Sequence, residues 1–227
     1  LDNDGWADIA QANGMVDDLV DRRFETCPDY WYVNEKIARS PPSIHVNAKR
    51  WGDIRGYCIY GNELDRIYLN REVGGRRRFV DVARGAGVTR RANSRGVAAA
   101  DLDGDGRLDL VITHQFRSPS ILHNVAVGEA GRFLRLRLVG DGERCPRDGV
   151  GARVEVRAEG APAQVREVQV STGFDAQGER TLHFGLGEAR GPAEVTISWC
   201  GGPPDTRTLS LGRTHVVEAA PEGLSAR

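Results

Sequence analysis

Nine consecutive residues, Asp101-Leu-Asp-Gly-Asp-Gly-Arg-Leu-Asp109, set four carboxylates at alternating positions around a glycine turn. A hard cation such as Ca²⁺ takes six to eight oxygens at about 2.3–2.6 Å, and this spacing supplies most of them. The expected ligands are the side chains of Asp101, Asp103, Asp105 and Asp109 and the backbone carbonyl of Arg107, with Gly106 permitting the sharp turn. Without a cation, four unpaired carboxylates this close repel one another. The competing reading is a polar Asp-Gly turn with no ion. An EF-hand is excluded, because the twelfth position is Ile112 and the flanks Val97-Ala-Ala-Ala100 and Leu110-Val-Ile-Thr113 are short, apolar and β-prone.

A second copy opens the chain. Leu1-Asp-Asn-Asp-Gly-Trp-Ala-Asp-Ile9 aligns with residues 102–110 and offers Asp2, Asp4, Asp8 and the Trp6 carbonyl as ligands. Its first Asp falls before Leu1, which implies the C-terminal piece of a longer protein. The repetition extends further: Asp65-Arg-Ile-Tyr-Leu-Asn70 follows the first loop as Pro119-Ser-Ile-Leu-His-Asn124 follows the second. Phe79-Val-Asp-Val82 and Gly96-Val-Ala-Ala-Ala100 are read as completing the second unit. Repeats of strand, acidic loop and strand point to propeller blades or solenoid units, and two blades do not close a ring, so upstream blades are expected as partners.

Several of these segments resemble known families. Asp65-Arg-Ile-Tyr-Leu-Asn-Arg71, Phe79-Val-Asp-Val-Ala83 and Arg95-Gly-Val-Ala-Ala-Ala-Asp-Leu-Asp-Gly-Asp-Gly106 resemble FG-GAP/VCBS propeller repeats. Gly149-Val-Gly-Ala-Arg-Val154, Arg166-Glu-Val-Gln169, Leu182-His-Phe-Gly-Leu-Gly187 and Val195-Thr-Ile-Ser-Trp199 resemble the ASPIC/UnbV domain. The combination is similar to the cartilage acidic protein and UnbV-like family. The resemblance implies a calcium-binding propeller followed by a small β domain, and it defines no activity, because fold does not specify function.

The division is expected at 128/129, where the Gly-rich stretch Ala126-Val-Gly-Glu-Ala-Gly-Arg132 precedes a series of alternating strands. In Phe133-Leu-Arg-Leu-Arg-Leu-Val139, Leu134, Leu136 and Leu138 share one face and Arg135 and Arg137 the other. Further strands are predicted at 152–157, 165–170, 181–186, 194–199, 206–211 and 215–218. Seven short strands between Gly, Pro and Asp turns predict a small antiparallel β-sandwich, so the whole chain is expected to be all-β.

A net charge of −1 gives no global attraction to nucleic acid or to an anionic membrane, and no apolar run is long enough for a membrane span. The four cysteines pair naturally within each half, Cys27 with Cys58 and Cys145 with Cys200. Two disulfides would join the calcium loops in indicating a secreted, periplasmic or extracellular protein; the alternative is four buried thiols in a cytosolic one.

Residues 15–62 interrupt the first repeat and carry seven of the chain's fifteen aromatics. Trp31, Tyr32, Trp51 and Tyr57, with Gln115 following the strand of the second repeat, are candidates for a ligand pocket; the aromatics serve equally as the insertion's own core. His114 and His45 are the candidates for acid–base chemistry, against the alternative of hydrogen-bonded structural residues. There is no phosphate-binding glycine loop, G-x-S-x-G elbow or H-E-x-x-H helix. Two functions stay open: a calcium-stabilised binding protein for a protein, glycan or small-molecule ligand, and an enzyme of bacterial secondary metabolism with its site on the propeller face.

Overall fold

The computed structural model describes residues 1–14, 16–17, 58–59, 63–115, 117–126, 132–174 and 176–219. Every regular element among them is a strand. The chain divides into two compact units, one comprising Leu1–Ala7, Ala98–Leu110 and Leu122–Arg227, the other Asp8–Val97 and Val111–Ile121.

Two three-stranded sheets carry the repeats. The first has the order β1 (Ile9–Gln11), β5 (Arg66–Val73), β6 (Arg76–Asp81), and the second β10 (Arg117–Leu122), β9 (Asp109–His114), β8 (Ser94–Ala100). Two short pairs accompany them, β2 (Val16–Asp17) with β3 (Cys58–Ile59) and β4 (Glu63–Leu64) with β7 (Arg91–Ala92). The Phe79–Val80 segment was expected in the second repeat. It belongs to the first, because β5 and β6 form a hairpin in register Val73↔Arg76. The two-residue loop is Gly74-Gly75, both with positive φ (62° and 72°), and such a turn matches the right-handed twist of its strands.

All seven strands expected after residue 130 form. One sheet has the order β14 (Leu182–Gly185), β11 (Phe133–Val139), β17 (Arg213–Glu218). The other has the order β13 (Gln164–Glu167), β12 (Arg153–Glu159), β15 (Arg190–Ser198), β16 (Pro204–Leu209). Their inner faces share one core, with Leu134, Leu136, Val154, Phe184, Val195 and Ile197 all fully buried. Each such aliphatic side chain contributes about 1.5–3 kcal/mol relative to exposure. The sandwich is antiparallel except for one pair. β11 and β17 run parallel, Leu134↔Arg213 through Val139↔Glu218, which the intervening strands allow by crossing to the other sheet and returning. Cys145 and Cys200 form a disulfide beside this core, with Cα atoms 5.2 Å apart. Cys27 lies outside the described residues, as do the side chain of Cys58 and hence their expected pairing.

Alternation misplaces one residue of β11. Arg137 is exposed as expected, but Arg135 is only 8% exposed, since the acidic loop 101–109 covers that face of the strand.

On β14, His183 stacks on Phe133 with ring centroids 6.0 Å apart, and its Nε2 lies 2.7 Å from the Asn3 side-chain oxygen. Nε2 therefore carries the proton, and Nδ1 is buried without a hydrogen bond. Burial, reinforced by the positive charges of the amino-terminal group of Leu1, Arg166 and Arg135, pushes this imidazole down to about 3. An unfolded histidine charges near 6.5, so between those values the unfolded state takes up the extra proton. The contribution is full above about pH 6.5 and drains as pH falls toward about 3. Denaturant melts at pH 6.5 and pH 5 should show the wild type losing on the order of 2 kcal/mol more than His183→Asn, and equal losses would refute the assignment.

Candidate metal centre

The loop between β8 and β9 is organised by its own carboxylates. Asp101 Oδ1 accepts the Gly104 N–H at 2.8 Å and Oδ2 accepts the Gly106 N–H at 3.0 Å. Asp103 Oδ1 accepts the Asp105 N–H at 3.2 Å, and Asp105 Oδ1 accepts the Arg107 N–H at 2.8 Å. Such side-chain to backbone bonds are the reason Asp initiates turns. Gly106 is required twice over, by its φ of 86° and by the Phe133 ring, which occupies the place of a Cβ.

Asp109 closes the loop at its base. Buried at 2% exposure, it accepts the Leu102 N–H (3.1 Å) on one oxygen and the Asn124 N–H (2.7 Å) on the other, with His123 Nδ1 3.1 Å from the latter. Desolvation alone would raise its pKa, but these donors outweigh it and the carboxyl titrates below the usual range.

The amino-terminal copy reproduces three of these bonds. Asp2 accepts the Asp4 N–H at 3.3 Å, Asp4 the Trp6 N–H at 2.9 Å, and Asp8 the Asn70 N–H at 2.9 Å. The aligned bonds of the second loop are those of Asp103, Asp105 and Asp109 just described. The correspondence read from sequence between Asn70 and Asn124 is thus a physical one, since each amide is held by the last Asp of its loop.

Asp101, Asp103 and Asp105 bring carboxylate oxygens within 4.8 Å of one another, Asp101 buried, Asp105 half-buried and Asp103 exposed. The expectation that they lack positive partners is corrected. Arg135 donates to Asp101 Oδ2 at 2.8 Å, Arg107 pairs with Asp105, and His123 faces Asp109. Repulsion among the carboxylates therefore does not by itself demand an ion. The donor set still fits one: it is all oxygen, as Ca²⁺ prefers, and its three carboxylates converge from one short loop.

The comparisons with known proteins accord with this geometry. Residues 57–112 match a model described as FG-GAP-like repeat, residues 94–131 one described as FG-GAP repeat, and residues 142–220 the ASPIC and UnbV model. The chain carries FG-GAP repeats and an ASPIC/UnbV domain. It is also similar to Cartilage acidic protein 1 of Xenopus tropicalis, 27% identical over 129 residues, which are 54% of this chain and 18% of that protein. The chain therefore spans well under a third of the length of this curated relative. The sheets of the FG-GAP region are of β-propeller type, and the ASPIC/UnbV match falls on the sandwich.

Within the FG-GAP region His114 lies at the centre of a buried polar chain. Asp65 Oδ1 accepts the Asn13 N–H at 2.8 Å, and its Oδ2 accepts the Ser94 hydroxyl at 3.0 Å. Ser94 Oγ lies 2.9 Å from His114 Nδ1, and His114 Nε2 lies 2.7 Å from Ser120 Oγ. With the Ser94 proton on Asp65, Nδ1 donates to Ser94 and Nε2 accepts from Ser120. Burial raises the Asp65 carboxyl against the lowering effect of its hydrogen bonds, and burial lowers His114, which is neutral at pH 7. Sequence gave no sign of the other members, since a lone Asp and two serines fit no catalytic spacing. Gln115 turns to a neighbouring cluster, accepting from Asn93 Nδ2 (2.9 Å) and Arg95 (2.5 Å). His45, Trp31, Tyr32, Trp51 and Tyr57 lie outside the described residues.

Replacing His114 by Ala deprives two hydroxyls of their ring partner, and an unsatisfied buried polar group costs about 1–3 kcal/mol. Urea denaturation of His114→Ala should show a loss of that size. A change below about 0.5 kcal/mol, the level of an ordinary surface substitution, would show that the chain of hydrogen bonds contributes nothing to stability.

Proposed function

We propose that this chain is part of a calcium-stabilised, extracytoplasmic binding protein of β-propeller type, which engages a protein, glycan or small-molecule ligand through its propeller face and the 15–62 insertion. The observation that carries the reading is the Asp101, Asp103 and Asp105 cluster, built into a hydrogen-bond pattern that the amino-terminal loop repeats. The three carboxylates, with Asp109 and the Arg107 carbonyl, would hold the ion; the groups of the first loop that align with Asp103, Asp105, Asp109 and the Arg107 carbonyl are Asp2, Asp4, Asp8 and the Trp6 carbonyl. A bound ion supplies charge neutralisation and a rigid tie between β8 and β9. The disulfide and the FG-GAP repeats support an oxidising compartment, and no helix among the described residues is long and apolar enough to cross a membrane.

Calcium present at 100 times its dissociation constant adds about 2.7 kcal/mol when only the native state binds it. Thermal melts with calcium and with a chelator should separate for the wild type and nearly coincide for Asp105→Ala. Coincident wild-type melts, with no calcium found by metal analysis, would remove the basis of the proposal.

A second reading, an enzyme on the propeller face, is favoured by the neutral His114 imidazole that accepts the proton of the half-buried Ser120. That is the arrangement of a base and a serine nucleophile. A fluorophosphonate probe should then label the wild type but not Ser120→Ala. Absence of wild-type labelling would leave the binding role alone.

A further inference from the structure

At one open edge of the sandwich, the outer strands β13 and β14 of the two sheets come together without pairing, and Gln164 Nε2 reaches across to the Gly185 carbonyl at 2.6 Å. A cleft of about 510 Å³ opens there. Its walls include Arg153, Arg166, Arg180, Gln169, Thr172 and Thr181.

Arg166 occupies an unusual register. It lies directly opposite Val154, a fully buried core residue, while its neighbours Val165 and Glu167 are exposed. A guanidinium thus enters the position that pleat alternation reserves for an apolar side chain. It sits over the Phe184 ring at 5.5 Å from the centroid, and its Nε is buried without a hydrogen bond. Among the described residues no carboxylate forms an ion pair with it. Of the two acidic groups lining the cleft, Glu179 binds Arg135 with both oxygens (2.6 and 2.7 Å), and Glu167 is the cross-strand neighbour of Arg153. Arg180 pairs with Asp148 at the rim.

Burial lowers the Arg166 pKa, which marks the cost of holding this charge without a partner. An oxyanion entering the cleft would supply two acceptor oxygens to the planar fork, the geometry guanidinium favours over any point charge. The threonine hydroxyls and the Gln169 amide are placed along the walls as further donors. A volume of about 510 Å³ accommodates an organic acid rather than a bare ion, falling within the usual 300–1,000 Å³ of small-molecule sites.

We propose that the cleft between β13 and β14 is a binding site for an organic oxyanion, a ligand bearing a carboxylate, sulfate or phosphate group, with Arg166 as its anchor. The proposal is independent of calcium and of the propeller face. The competing role for Arg166 is purely structural, an inward charge that keeps the edge strand β13 from pairing with another chain.

The two are separated by titrating the protein with citrate, sulfate and inorganic phosphate at constant ionic strength, following the Arg166 Nε–H resonance and the heat of binding. Constant ionic strength removes general screening from the comparison. The expected result is saturable binding of at least one probe, with a dissociation constant around 1 mM or tighter and a selective shift of that resonance. Arg166→Met should weaken binding at least about tenfold, and Arg166→Lys should restore only part of it because the fork is lost. A wild-type resonance that stays fixed with every probe up to about 100 mM, a hundred times the expected constant, overturns the proposal. So does equal affinity in Arg166→Met. The wild-type resonance decides the matter even if the variants fail to fold.

Discussion

A single buried carboxylate holds the first unit's acidic loop in place. Asp101 accepts the Gly104 and Gly106 amides and the guanidinium of Arg135, and Arg135 in turn grips Glu179 with its second nitrogen. Loop, β11 and the polar turn before β14 thus meet at one ion-paired node, whose charged side chains are 0% exposed for Asp101 and 10% for Arg135. Removing one partner from such a pair leaves a buried charge uncompensated, a loss of about 3–5 kcal/mol. The node also sets the electrostatics of the acidic loop. A loop of isolated carboxylates would bind a cation because it must, whereas a loop already countered by Arg135 and Arg107 binds one only when the oxygen geometry offers more than the arginines do.

Much of this was legible in the residues. The period-two pattern of residues 133–139 located β11 to the residue, and the other six strands of the sandwich fell within a few positions of expectation, because a half-buried sheet writes its core face directly into alternation. The repeat was equally clear, and the matched bonds of Asp8 with Asn70 and Asp109 with Asn124 show why: the aligned residues are those that fix the backbone. Arg135 was read as solvent-facing because alternation distinguishes two faces and says nothing about what covers the outer one. The inward place of Arg166 is hidden for the converse reason, as a charge standing where the pattern asks for a hydrophobe. The parallel pairing of β11 with β17 joins residues about 80 positions apart and leaves no local mark.

The polar chain through Asp65, Ser94, His114 and Ser120 illustrates the same limit. Its members come from four separate segments, and only the histidine has chemistry distinctive enough to be noticed alone. Sequence ranks residues by what they could do singly. The fold decides which of them work together, and here it gives the imidazole a fixed tautomer and a neutral charge state.

The clamp between the last Asp of each loop and its partner asparagine carries a consequence for how such chains diversify. In one repeat the two residues are 62 positions apart, in the other 15, yet the bond is the same. A fourfold longer connection raises the closure entropy by only about 1.2 kcal/mol, two doublings at about 0.6 each. Strand ends held by a side chain, and not by the length of the chain between them, make the β1–β5 connection a cassette: its contents can be exchanged, lengthened or trimmed while the sheet that presents them keeps its register.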